Sequence, residues 1–377
     1  MEERIGRIRL LDILRGFAVL GTLGTNIWIF AHLGDLSYIT TYHFSGWWNA
    51  DDFLRMAVLF LVNGKFLGLL TIMFGVGLEL KYRQALRKGN TWPGVYIWTS
   101  TFLIIEGLIH FTLVMEYDIL MSYGLTAIIV AFIVKKGDRF ISKTMKVIGS
   151  IHAVLILGIL ILSLLAANAS LGHFGDVVSL YRDGTWLQQI QYRLSHFLLL
   201  RTEAIWVIPM NIFLFLLGVR LMRSGVFAPD ENGRRKRDKL FKLGIYIGLP
   251  LNLLIFVPGG DFDLAVRYLF APLMSLGYIA IIGRMIEYKK WNRLWNLLEN
   301  VGKMSLSCYV VQNILSSILF YGWGFALGGK LDSLQVIVCW GIITFIQLLF
   351  ASIWFRFFHL GPLEMIRKRV TGIAVSR

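Results

Sequence analysis

The sequence predicts an all-α polytopic membrane protein of about ten transmembrane helices, with both termini in the cytoplasm. Three observations predict it. Hydrophobic residues make up 56% of the 377 residues and charged residues only 16%, against about 45–50% and about 25% in soluble domains. The apolar residues are gathered into ten runs, most of them near the roughly 20 residues that a span requires. The 38 Lys and Arg residues fall almost wholly into alternate connections between those runs. With a mean hydropathy of +0.64, a soluble domain of this length could not bury its apolar side chains. A soluble enzyme, a disordered chain and a disulfide scaffold are excluded. The net charge of +15 is spread over short loops, so it reads as a topology signal and not as a nucleic-acid footprint.

The first run, 10–30, has no small-residue cleavage site and reads as an uncleaved span. The second, 53–80, is too long for one straight span. Asn63-Gly64-Lys65 interrupts it, so a kinked or broken helix is expected. Runs 95–115, 119–134 and 147–167 follow. Runs 204–221 and 268–285 carry Pro209 and Pro272, each an expected kink, and 241–257 lies between them. Runs 304–327 and 334–355 complete the set. Thirty Lys and Arg residues lie on the side of the termini, against five on the other: Arg182, Arg193, Arg201, Arg267 and Lys330. That split places both termini inside. Cys308 and Cys339 lie in apolar runs and read as free thiols. No metal site is expected. Residues 1–377 read as one transmembrane domain without internal repeats, multi-pass in the plasma membrane.

Two further stretches have helical apolar spacing. Residues 170–203 lie outside and 286–300 inside, the latter with Trp291, Leu294, Trp295 and Leu298 on one face and Lys289, Lys290 and Arg293 elsewhere. Both are expected to lie as amphipathic helices in the interface.

Ionisable groups inside spans cost about 2.5–3.5 kcal/mol each on insertion scales, so each needs a reason. Arg15 follows Asp12 by three residues. The pair is either a partly snorkelled structural pair or a fixed cation for an anionic ligand entering from the cytoplasm. Asn26 lies eleven residues on, about 16 Å up the same helix face. Gly16, Gly21 and Gly24 allow close approach of a neighbour or ligand. Glu106 and His110 are four apart on one face, and Asp118 follows at the outer boundary. A histidine beside a carboxylate suits a general base, although a structural polar pair has the same spacing. Lys65, behind the Gly64 hinge, reads as a counter-ion to Glu106 or Asp118 or as a ligand-binding cation.

The stretch from Leu11 to Gly21, LDILRGFAVLG, resembles the opening of the YeiB-like family of integral membrane proteins, domain of unknown function 418. Further segments continue the likeness in order: Gly64-Lys65-Phe66 with Met73-Phe74-Gly75-Val76-Gly77, then Gly107-Leu108-Ile109-His110 with Asp118-Ile119-Leu120 and Tyr123. Gly302-Lys303-Met304-Ser305-Leu306 with Tyr309 and Gln312, then Gly361-Pro362-Leu363-Glu364, complete it. The family's signature region corresponds to about 220–370. Tyr117 replaces the usual Gly before Asp118, and Ser307-Cys308 replaces the usual Thr-Asn before Tyr309. The family's opening is similar in turn to that of transmembrane acyltransferases, and this implies a bundle of that kind. It also implies acyl transfer from cytoplasmic acyl-CoA to an outer-side sugar, amine or lipid, with no covalently bound cofactor.

On this expectation His110, Glu106, Asp118 and Asn26 are the catalytic candidates. Arg15, Asp12, Lys65, Tyr123, Tyr309 and Gln312 are the substrate-binding candidates. Expected partners are membrane lipids, acyl-CoA and the acceptor, with a homodimer left open and no nucleic acid. Two alternatives use the same groups: a transporter for a small solute or lipid, and a non-catalytic lipid-binding protein.

Overall fold

The computed structural model describes residues 8–44, 46, 48–165, 175–288 and 291–375. The expected all-α polytopic architecture holds. Among the described residues, eight helical rods are long and apolar enough to cross a bilayer, and two apolar helices are shorter. Sides are named by the charge rule, the Lys/Arg-rich side being the inner one.

Helix α1 (Arg9–Ala31) is the hub, buried along most of its length. The expected break in the second run is present: α2 (Ala50–Val62) and α3 (Lys65–Arg87) are separated by Asn63 and Gly64. Gly64 has φ +75°, and a Cβ there would lie 2.4 Å from the Arg267 carbonyl oxygen, so only glycine fits the turn. Asn63 Nδ2 ties the break to the Ile39 carbonyl at 2.9 Å. Helices α4 (Val95–Leu113) and α5 (Leu120–Val134) form a hairpin. Helix α6 (Asp138–Leu165) is largely exposed along its sides, as befits a lipid-facing helix.

Three short helices follow on the outer side: α7 (Gly175–Asp183), α8 (Trp186–Ser195) and α9 (Phe197–Leu200). Helix α10 (Ala204–Ser224) runs unbroken through Pro209. The cationic α11 (Glu231–Leu243) passes through a π turn into α12 (Leu249–Asn252) and a 3-10 turn, Leu253–Phe256. The next rod begins with α13 (Asp263–Ala265), widens into a π turn at Val266–Phe270 and continues as α14 (Ala271–Glu287). Pro272 follows closely on the π turn, so the irregularity expected of the proline is taken up there. Then come α15 (Asn292–Lys303), α16 (Ser305–Phe320), α17 (Ser333–Trp354) and α18 (Pro362–Val375).

Two of the expectations need correction. The outer stretch does not lie in the interface. Arg193 and Gln189 of α8 are fully buried, and Gly322 donates its N–H to the Tyr181 carbonyl at 2.9 Å. The segment folds onto the bundle because Arg193 finds a buried partner: its Nε is 3.4 Å from Glu116 Oε2 and 3.1 Å from the Tyr181 hydroxyl. The inner stretch is also mostly packed. Trp295 and Leu298 of α15 are buried, whereas Trp291 and Leu294 remain exposed. The close crossing explains it: a Cβ on Gly302 would lie 1.7 Å from the Asp12 carbonyl oxygen, and one on Gly16 would lie 2.0 Å from that of Leu298. Lys289, Lys290 and residues 166–174 lie outside the described residues.

The two short helices position the polar groups of the bundle interior. Helix α5 has 15 residues and α16 has 16, about 22–24 Å of rise against about 30 Å of hydrocarbon. Non-helical backbone therefore lies at membrane depth beside both. Such backbone is tolerated where protein buries it or where it lines a cavity.

Candidate functional site

The connection between α4 and α5 places an acid against a base. At Gly107 a Cβ would lie 2.5 Å from the Met121 nitrogen and 2.8 Å from Asp118 Oδ1. Glycine there lets the start of α5 close onto α4, one turn below His110. Asp118 then uses its two oxygens differently. Oδ1 accepts from the N–H groups of Leu120 at 2.8 Å and Met121 at 3.3 Å, capping α5. Oδ2 lies 2.9 Å from His110 Nδ1, in contact but off the line of the N–H. Asp118 is fully buried and His110 nearly so.

The other ring nitrogen faces α16. Asn313 Nδ2 is 3.2 Å from His110 Nε2, and Asn26 Nδ2 donates to Asn313 Oδ1 at 3.4 Å. With the Asn313 oxygen turned to Asn26, its NH2 group meets Nε2. In that arrangement Nε2 accepts and Nδ1 carries the proton, close to Asp118 Oδ2 but not hydrogen-bonded to it. Three helices distant in sequence form one polar line, Asn26–Asn313–His110–Asp118. Tyr309, one turn before Asn313, packs its ring 5.3 Å from the His110 ring.

Asn26 and Tyr309 also line a cavity of about 700 Å³. Its walls come from α1, the α2–α3 break, the outer segment and the outer ends of α10 and the α13–α14 rod. Ile29, Leu67, Leu70, Val207 and Leu264 supply apolar wall, and Tyr117, Tyr192, Trp206 and Tyr268 supply rings. Three charged side chains line it: Glu203, Asp263 and Arg267. Asp263 accepts from the Thr41 N–H at 2.7 Å and the Thr41 hydroxyl at 3.0 Å. Arg267 Nη1 donates to Asn63 Oδ1 at 3.1 Å. Burial raises the Glu203 carboxyl above the usual range, against the pull of Arg201 and Arg267.

The remaining candidates are placed elsewhere. Glu106 does not meet His110. Its carboxylate has no hydrogen-bond partner among the described residues and lies in the field of Arg367 and Glu364 on α18; Asp118 takes the histidine instead. Lys65 meets neither Glu106 nor Asp118. It is fully buried, its Nζ has no hydrogen-bond partner among the described residues, and it stands 5.6 Å over the Phe60 ring. Arg15 Nη1 is 3.6 Å from Asp12 Oδ1 at the inner end of α1, against α3 at Gly77. The Tyr123 hydroxyl lies 2.9 Å from Thr71 Oγ1 in the core. Gln312 accepts from Gln347 at 3.2 Å and donates to Thr22 at 3.5 Å, a seam between α1, α16 and α17. Glu364 caps α16, accepting from the Leu306 N–H at 3.0 Å and the Ser307 hydroxyl at 2.5 Å. Sequence reasoning missed Asn313 and Glu203. The run Gln312, Asn313, Ser316, Ser317 in an apolar helix was the signal for the first, and nothing local marked the second.

A family model described as protein of unknown function (DUF418) matches residues 221–374. The chain is 24% identical to the uncharacterized protein YxaH of Bacillus subtilis, over 99% of this chain and 95% of that protein. It is 28% identical to the uncharacterized protein YeiB of Escherichia coli, over 97% of this chain and 98% of that protein. An uncharacterized 39.9 kDa protein encoded in the amylase 3′ region of Bacillus acidopullulyticus is 26% identical, over 98% of this chain and 94% of that one. These likenesses run the length of the chain, so the paired packing of Gly16 with α15 and the capping of α16 by Glu364 lie within the matched stretch. With the DUF418 match confined to its C-terminal part, the chain is similar along its whole length to YeiB-like proteins and carries a DUF418 region at 221–374.

Proposed function

We propose that the protein is a plasma-membrane acyltransferase that moves an acyl group from cytoplasmic acyl-CoA to an acceptor at the outer side. The observation that carries this reading is the buried His110–Asp118 pair, linked through Asn313 to Asn26 on the wall of the large cavity. An imidazole with a carboxylate set close against one ring nitrogen is suited to general-base work. The acceptor's O–H or N–H takes the place that the Asn313 amide holds on Nε2. His110 removes its proton as the acceptor atom bonds to the thioester carbonyl carbon. The C–S bond breaks, and the proton passes to the CoA sulfur. On this reading the Asn26 amide turns from Asn313 to steady the carbonyl oxygen as charge builds there.

A cation cluster on the inner face supports the donor half. Lys81 lies in the field of Arg367 and Lys368 on α18, Arg15 on α1 and Lys88 at the end of its own helix. Other inner cations share carboxylates: Arg9 and Lys303 share Glu299, Arg83 and Arg223 share Glu79, and Arg234 and Arg237 share Glu287. The cluster suits the phosphates of CoA, which Arg and Lys bind through charge-assisted hydrogen bonds.

The test is acyl-CoA binding and CoA release by protein in nanodiscs, across acetyl- to palmitoyl-CoA with free CoA as control. Arg15→Ala should weaken binding. His110→Ala should bind acyl-CoA as the wild type does and lose CoA release by about 10²–10⁴-fold. Absence of binding by folded protein, or full turnover in the histidine variant, overturns the reading.

Lys65 favours one other reading. A buried lysine amine without a hydrogen-bond partner among the described residues, set at a broken helix, is an arrangement of ion-coupled carriers. Proton-gradient-dependent solute uptake into proteoliposomes that is lost in Lys65→Ala would put transport first.

A further inference from the structure

We infer that the large cavity takes an amine-bearing amphiphile, its ammonium set against Glu203 and its alkyl part along Ile29, Leu67 and Leu70. Resting on the acyl-transfer reading, the inference names the acceptor class for that reaction. The argument starts from the three charged groups on the cavity wall. Asp263 is held by Thr41 and Arg267 is engaged by Asn63. Glu203 lines the cavity and makes neither a side-chain hydrogen bond nor a salt bridge among the described residues. Its two cationic neighbours do not neutralise it directly. Arg201 is committed to the backbone carbonyls of Asp118 and Glu116, and Arg267 acts on it only through the field.

In a chain of net charge +15, this wall carries two carboxylates to one guanidinium. Burial works against the Glu203 carboxylate; an ammonium set beside it favours the ionised form and pairs with it, whereas a hydroxyl offers a hydrogen bond alone. The rings of Tyr192, Trp206 and Tyr268 line the same cavity, and aromatic faces attract organic cations. The apolar wall then accounts for the remainder of the ligand. About 700 Å³ is the size of a site for one such molecule.

Glu203 shares the cavity wall with Asn26 and Tyr309, and Asn26 leads through Asn313 to His110. In the transfer, the nitrogen bonds to the thioester carbonyl carbon, the C–S bond breaks and CoA leaves as the thiol. The ammonium gives up two protons. One reaches the CoA sulfur by way of His110, and the other leaves to water by way of Glu203.

The probe is a series of butyl-, hexyl- and octylammonium, each beside its alcohol. They are titrated onto full-length protein in phosphatidylcholine nanodiscs, with empty nanodiscs subtracted. Saturable binding that strengthens with chain length is expected for the amines. Glu203→Gln should weaken it by about tenfold or more and leave alcohol binding unchanged, while Glu203→Asp recovers most of the affinity. Thermal unfolding of each variant checks that it is folded. Equal binding of amine and alcohol, or unchanged amine affinity in Glu203→Gln, overturns the site. CoA release is followed in parallel with the same amines and with hydroxylated acceptors. Amine binding with no release from any acyl-CoA defeats the transferase reading and leaves the site standing. Release to hydroxyl acceptors alone defeats the amine assignment and leaves the transferase.

Discussion

Asp118 performs two tasks with two oxygens, and the tasks can be separated by mutation. Asn at this position keeps an acceptor oxygen for the Leu120 N–H, so the cap on α5 survives. Its NH2 group then faces His110 Nδ1 and drives the ring to the other tautomer, with the proton on Nε2 where the base is needed. Ala removes both functions. Asp118→Asn is therefore expected to unfold near the wild-type temperature but to lose CoA release by about 10²–10⁴-fold. Asp118→Ala should lose the same activity and about 1 kcal/mol of stability as well. Activity in Asp118→Asn within a few-fold of wild type would remove the carboxylate from the mechanism. His110 and Asp118 are legible in the sequence because they are eight positions apart and a helix-then-loop reading brings them close. The Glu106 pairing fails because spacing of four gives a shared face, not a contact, and the helix end turns Asp118 in first. Asn313 is not legible as a partner. It lies 203 residues from His110, and the two meet only through the side chains that α4 and α16 turn toward each other.

The elements themselves are legible where apolar length decides. The ten runs correspond to the helical rods, and the break at Asn63-Gly64 sits where the turn residues place it. Amphipathic segments are poorly legible, because an apolar stripe is the same whether lipid or protein covers it. In α15 the deciding feature is Gly302, whose lack of a side chain lets α1 sit against it. The crossing gives a sharp contrast between glycines. Gly302→Ala forces a methyl into the Asp12 carbonyl, so the helices must separate, and a loss of about 1–3 kcal/mol is expected, as for overpacked cores. Gly341 on α17 has no atom within 4 Å of a built Cβ. Gly341→Ala should be neutral or gain up to about 1 kcal/mol from helix propensity. Thermal unfolding of the two variants in one detergent measures the difference. Equal midpoints would mean that α1 and α15 cross too loosely for the Gly302 contact to matter.

At the scale of the whole molecule, charge gives sidedness, and the five outer cations are its exceptions. Two of those exceptions are structural. Arg201 holds the carbonyls of Glu116 and Asp118, and Arg193 lies fully buried against Glu116. Through these two residues the outer segment, which supplies Tyr192, Leu199 and Leu200 to the cavity wall, is fastened to the loop that carries Asp118. Removing one member of a buried pair strands the other, at about 3–5 kcal/mol, whereas replacing both with neutral groups costs far less. Arg193→Ala should therefore loosen the segment, and Glu116→Gln combined with Arg193→Met should restore most of its order. Protease added to nanodiscs reads this directly, by cleavage within 184–203 while the remaining chain stays intact. An interfacial anchor held by lipid alone would show no gain in cleavage with Arg193→Ala and no recovery in the double variant. Cleavage that rises in the single variant and falls in the double one ties the cavity wall to the Glu116 loop, and with it to the position of Asp118.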